Sequence, residues 1–80
     1  MLMKEEEIKD RLMSSNREFR QLAAEHHDCE AKLADLLKHH PMTEQDHLEE
    51  VRLKKRKLHL KDQMTSMMQQ LRNQLSHQAS

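Results

Sequence analysis

Apolar residues in the second half of the chain follow two separate helical stripes. From residue 44 onward the sequence has no Gly and no Pro, and most of its residues are good helix formers. At about 100° per residue, Leu48, Val51 and Leu58 fall on one side of a helix. The other stripe lies nearly opposite and consists of Leu53, Leu60, Met64, Met67, Met68, Leu71 and Leu75. The pattern predicts a long helix over residues 44–75 with apolar surface on two sides.

The first half of the chain carries a third helical repeat. Six residues alternate steps of three and four, namely Phe19, Leu22, His26, Cys29, Leu33 and Leu36. This repeat predicts a helix over residues 17–38, which ends before Pro41 because the residue preceding a proline avoids the α conformation. Ile8 and Leu12, one helical turn apart, predict a short helix over residues 2–13.

Polar residues at two positions predict where helices restart. Ser15 stands three residues before Glu18, which is the spacing of a capping box, and Asn16 is a competing N-cap. Thr43 with Asp46 forms a second predicted helix cap, just after the proline.

The short connection around Pro41 predicts an antiparallel hairpin of the two long helices. Folding the chain about this turn defines a predicted seam of Phe19, Leu22, His26, Cys29, Leu33, Leu48, Val51 and Leu58. The seven-residue stripe then stays outside the seam, and the N-terminal helix reaches only its far end. We call this stripe, Leu53, Leu60, Met64, Met67, Met68, Leu71 and Leu75, the predicted interaction face. Exposing this stripe to water would lose about 10 kcal/mol of burial free energy. We therefore expect a coiled-coil-like bundle of several copies, or a protein partner, to cover it.

Composition agrees with one all-α domain over residues 1–80. Apolar and charged residues each make up 35% of the chain, and Phe19 is its one aromatic residue. Lys and Arg together number 14, as do Asp and Glu, so net charge favours neither nucleic acid nor an anionic membrane as partner. A single cysteine, no signal-peptide pattern and no apolar run of about 20 residues lead us to expect a cytoplasmic protein.

A basic run supports an alternative function. Lys54, Lys55, Arg56 and Lys57 are the candidate nucleic-acid contacts of this alternative. Four consecutive helical positions point in four directions, however, and no aromatic residue accompanies them for base stacking. We interpret the run first as solvated helix surface.

Two further groups of residues invite chemical interpretations. His26, Cys29 and Glu30 have the spacing of metal ligands on one helix face, and His26 with Cys29 resembles a nucleophile pair. Both lie in the predicted seam, where a packed thiol and a hydrogen-bonded imidazole are expected instead. We therefore expect no enzyme activity, no metal, no cofactor and no small-molecule substrate.

The run over residues 49–64, EEVRLKKRKLHLKDQM, resembles the LKKxKLxLKD signature of the YdcH family, short bacterial proteins of unknown function. Upstream, the family's L, N, F, L and H positions are matched by Leu12, Asn16, Phe19, Leu22 and His26. The resemblance covers residues 12 to about 68. The chain departs from the family at Arg17, where relatives often have Pro, at Cys29, where an aliphatic residue is usual, and in its longer tail. The resemblance implies a helical hairpin and no particular activity.

Together these features predict a small non-enzymatic helical protein whose process the sequence does not reveal. It is expected to act through the predicted interaction face of the long helix, as a homo-oligomer or as an adaptor for another protein. A nucleic-acid-binding module built on the run over residues 54–57 is the alternative.

Overall fold

Three helices make up the described part of the chain. The structure is a computed structural model that describes residues 4–78, with side chains through Ser76. Helix α1 is Glu5–Ser15, helix α2 is Arg17–Leu36 and helix α3 is Glu44–Gln78. No strand occurs in residues 4–78, and the predicted all-helical class is confirmed. Residues 2 and 3, where the first helix was predicted to begin, lie outside the described residues.

Asn16 separates α1 from α2. Its backbone is extended, with φ −122° and ψ 112°, and its Oδ1 accepts a hydrogen bond from the Phe19 backbone N–H at 2.9 Å. Asn16, and not the competing Ser15, is therefore the N-cap of α2. The Arg20 guanidinium donates to the carbonyl of Met13 at 3.2 Å and to that of the next residue at 3.3 Å. One short break thus supplies partners to backbone groups at the end of α1 and at the beginning of α2.

The connection from α2 to α3 begins earlier than predicted. Helix α2 ends at Leu36 and not at residue 38, and the backbone N–H of His39 donates to the Leu36 carbonyl at 3.1 Å. This turn comes before Pro41, whose ring restricts the backbone of the residue preceding it. The chain becomes helical again at Glu44.

Thr43 and Asp46 form a reciprocal capping box at the beginning of α3. The Thr43 backbone N–H donates to Asp46 Oδ2 at 3.0 Å, and the Asp46 backbone N–H donates to Thr43 Oγ1 at 3.1 Å. The hydrogen bond from the Thr43 N–H holds the pKa of Asp46 below its ordinary value. His39, whose Nδ1 lies 3.8 Å from Asp46 Oδ1, lowers that pKa further. The hydrogen bonds of the box therefore favour the ionised form of the Asp46 carboxylate.

The apolar side chains form two clusters that share α3. The first cluster consists of Cys29, Leu33, Leu36, Leu53 and Leu60, with Leu22 and Met42 packed against it. The second consists of Ile8, Leu12 and Phe19, with Met64, Met67, Met68 and Leu71 packed against it. The first half of α3 thus packs on α2, and its later turns pack on α1 and the beginning of α2. Both clusters lie on the same side of α3, and α1 also contacts α2 directly.

The predicted seam is wrong for its α3 half. Leu48, Val51 and Leu58 are 67%, 50% and 60% exposed, so they do not pack against α2. Helix α3 is rotated about its axis by nearly half a turn from the predicted orientation. The α2 side chains of the predicted seam do face inward, being buried or half-buried.

The predicted interaction face is also corrected, because it is the inner side of α3. Leu53 and Leu60 are only 8% and 5% exposed. The remaining members of that stripe are half-buried, namely Met64, Met67, Met68, Leu71 and Leu75. Full burial of each such residue contributes about 1.5–3 kcal/mol, so turning the seven-residue stripe inward stabilises the fold more than turning the three-residue stripe inward.

Leu60→Ala and Leu58→Ala give a matched test of this orientation, since both remove the same atoms from the same helix. We expect Leu60→Ala to lower the free energy of unfolding by about 2–5 kcal/mol, because it opens a cavity in the first cluster. Leu58→Ala should change it by less than about 0.5 kcal/mol. Urea unfolding followed by circular dichroism measures both, and equal losses would contradict the orientation.

Asp46→Ala tests the capping box through pH. The pKa of Asp46 is lower in the folded chain than in the unfolded one, so its stabilising effect is full above about pH 4. That effect is lost as the pH falls through the lowered pKa. Thermal melts should therefore show the wild-type protein melting above Asp46→Ala at pH 7, with the difference shrinking near pH 2. A difference independent of pH would show that the carboxylate charge contributes nothing.

Candidate interaction surface

Helix α3 exposes a row of apolar side chains on the side opposite the clusters. Leu48, Val51, Lys55 and Leu58 follow one another at steps of three, four and three residues, which places them on one side of the helix. We call these four residues the Leu48 face. All four are exposed in the structure. An exposed row with this spacing has the geometry of a helix-packing seam.

Cationic side chains border the Leu48 face on both sides. In a heptad projection, Arg52 flanks it on one edge, and Lys54 and Lys61 flank it on the other. His47 and His59 occupy the same flanking rows, and all five flanking side chains are exposed. The face is therefore a narrow apolar row with basic residues along both edges, and the exposed Asp62 continues the row beyond Leu58.

The charges of this surround differ in how they are satisfied. Arg52 lies 3.9 Å from Glu49 and Lys54 lies 3.7 Å from Glu50, both pairs within α3. Neither Lys55 nor Lys61 forms an ion pair with any of the described residues. Lys55, in the middle of the face, thus presents an uncompensated charge to solvent.

The basic run over residues 54–57 does not form a single patch. Arg56 and Lys57 turn toward α2, where they lie 3.9 Å from Glu25 and 3.8 Å from Glu30. Of the four residues, only Lys55 has no carboxylate beside it among residues 4–78. The residues proposed as nucleic-acid contacts therefore point in different directions, and two of them tie α3 to α2.

His26, Cys29 and Glu30 are engaged within the fold. The His26 Nδ1 lies 3.1 Å from Glu30 Oε1, and Cys29 is 3% exposed within the first cluster. The His26 Nε2 is buried and has no hydrogen-bond partner in the described structure. Among the side chains described, through Ser76, no group of three or more His, Cys, Asp or Glu is arranged to hold a metal ion.

A groove runs between α2 and α3. It has a volume of about 510 Å³ and is lined mainly by charged side chains, with Cys29 and Leu53 also on its walls. The Glu25 and Arg56 ion pair spans its lining. This groove is a charged cleft between two packed helices, and its wall includes Arg52, which also flanks the Leu48 face.

None of the described helices combines the length and the apolar character needed to cross a bilayer.

An all-helical protein with one exposed apolar row on its long helix is the class that this geometry defines. A family model described as "Protein of unknown function (DUF465)" matches residues 19–68. The chain belongs to this family, the YdcH-like family of small bacterial proteins of unknown function, and the resemblance stated from its sequence is confirmed. The matched segment contains the whole Leu48 face. No curated protein and no solved structure matches the chain.

The sequence pattern predicts both apolar stripes of α3, but the stripe it predicts to be exposed is the one that packs inside the fold. The available signal was the number of apolar residues on each side, three against seven. A chain with so few apolar residues gains most by burying the larger set. The exposed face is therefore the side on which Lys55 interrupts the apolar row.

Burial of Cys29 predicts a protected thiol. We expect the native protein to react with Ellman's reagent at least about tenfold more slowly than the urea-unfolded protein, because reaction requires local opening. The double variant Cys29→Ser with Ala31→Cys is the matched control, since Ala31 is exposed on α2 and its replacement should react at once. Added zinc should leave the melting temperature unchanged. Fast native labelling of Cys29 would contradict its burial.

Proposed function

We propose that this protein is a non-enzymatic helical hairpin that binds another protein through the Leu48 face of α3. The observation that carries the proposal is the exposure of Leu48, Val51 and Leu58, each half exposed or more, on a helix whose opposite side is packed. Single exposed leucines are ordinary on protein surfaces. Three apolar residues in seam spacing are an unpartnered packing surface.

The hairpin arrangement is supported by the order of contacts between α2 and α3. Arg56, in the first half of α3, pairs with Glu25 of α2. Met64, farther along α3, packs with the cluster that contains Phe19 at the beginning of α2. Met42, just before α3, packs with the cluster that contains Leu36 at the end of α2. Such contacts suit two helices joined by a short turn and running in opposite directions.

A non-enzymatic role is supported by the state of the reactive side chains. The thiol of Cys29, the strongest potential nucleophile in the sequence, lies inside an apolar cluster. The Glu30 carboxylate lies beside Nδ1 of the His26 imidazole, and the Nε2 of this ring is buried. Catalysis requires a nucleophile or base that a substrate reaches.

The nucleic-acid alternative has weaker support. Phosphate binding uses cations that are free to contact the backbone of the nucleic acid. Arg56 and Lys57 lie beside carboxylates of α2. The apolar members of the Leu48 face match protein better than phosphate.

Site-specific photo-crosslinking in the source cell tests the proposed function. A photoreactive residue replaces Leu58, and crosslinked species are identified by mass spectrometry. We expect one defined protein to be captured at position 58. Capture should fall at least about tenfold when Leu48→Ser is added, since one of three apolar anchors is removed.

The control places the same photoreactive residue at Ala31, which is exposed on the outer side of α2. Equal capture of the same species at both positions would overturn the proposal. Capture of a second copy of the chain at position 58 would show that the Leu48 face mediates self-association and does not bind another protein.

A further inference from the structure

We propose that the partner of the Leu48 face is an acidic amphipathic helix, which sets a carboxylate opposite Lys55. This inference rests on the proposed function and names the chemistry of its partner. It depends on the width of the apolar row, on the charges around it, and on the poor fit of a second copy.

The width of the face suits a single helix. Its apolar residues are one position wide, with charged side chains directly beside them at Arg52 and Lys54. A row of this kind is the seam of a two-helix contact. Helices that lie on membranes bury a broader apolar face and commonly carry Trp or Phe on it. The Leu48 face has no aromatic residue.

Charge selects an acidic helix among possible helices. Lys55 interrupts the apolar row and has no carboxylate beside it among the described residues. Arg52, Lys54 and Lys61 line the edges, where the flanking positions of a bound helix would lie. Acidic residues at those positions would meet four cations, of which Lys55 and Lys61 have no described carboxylate beside them, whereas basic residues would meet like charge.

A second copy of the chain fits this face poorly. Antiparallel pairing that sets Leu48 against Leu58 of the other copy brings Lys54 near its own counterpart and Arg52 near its own counterpart across the two-fold axis. Parallel pairing in register sets Lys55 against Lys55. Both arrangements concentrate cations in a contact that buries few apolar residues.

The test uses the full chain and two synthetic helical peptides of about three heptads. The acidic peptide has Leu at the seam positions, Glu at all flanking positions and one Glu in the middle of the seam. Its basic twin carries Lys wherever the first carries Glu. Like charges along the flanks keep each peptide from pairing with itself. Binding is measured by fluorescence anisotropy of the labelled peptide at low and at physiological salt.

We expect the acidic peptide to bind at least about tenfold more tightly than the basic twin, with affinity falling as salt rises. Lys55→Glu should weaken the acidic peptide and strengthen the basic twin. Lys38→Glu makes the same change in net charge outside the face, and it should alter neither affinity by more than about twofold. Leu58→Ser should remove binding of the acidic peptide while circular dichroism shows intact helices.

Several outcomes would overturn the inference. Equal binding of both peptides, lost in Leu58→Ser, would retain a binding face and remove its preference for acidic partners. Binding to phosphatidylglycerol vesicles with no peptide binding would assign the face to a membrane surface. A dimer in sedimentation velocity that Leu58→Ser dissociates would assign it to a second copy. No binding to either peptide would reject the acidic helix, and the crosslinking at position 58 would decide separately whether the proposed function survives.

Discussion

The structure depends on covering one continuous apolar stripe of α3 with two shorter helices. Helix α3 has 35 residues, whereas α2 has 20 and α1 has 11, so neither shorter helix spans the stripe alone. The two clusters lie one after the other along α3 and divide this task between them. The break at Asn16 is essential to the division. A continuous helix would hold Ile8 and Phe19 about 16 Å apart, whereas the break lets both enter the same cluster.

Much of this architecture is readable in the sequence, and the orientation of α3 is the part that is not. Periodicity alone places the two stripes on opposite sides, and side-chain chemistry marks Ser15 or Asn16, and Thr43, as positions where helices begin. The rotation of α3 depends on a comparison of burial on its two sides. Both stripes have the spacing of a helix-packing seam, so spacing alone predicts that Leu48, Val51 and Leu58 pack against α2. Burial energy scales with apolar area, and by that measure the Leu53 side is the inner one.

Consecutive cations in the sequence acquire different roles once the helix is formed. The rotation of about 100° per residue sends Arg56 and Lys57 toward carboxylates of α2 and leaves Lys55 among exposed leucines. A charge run read as one feature thus separates into residues that join helices and a residue that faces outward. Substitutions on the packed side of α3 and on its exposed side can therefore occur independently.

The elongated outline of the molecule affects how its size in solution is measured. Its Cα radius of gyration is 16.4 Å and its extents are 56 × 19 × 18 Å. A compact domain of this length would have a radius of gyration of about 12 Å. A rod experiences more friction than a sphere of equal mass, so a lone chain should leave a gel-filtration column at the volume of a heavier globular standard. Such a profile would mimic a dimer, and mass should instead be taken from sedimentation equilibrium or light scattering.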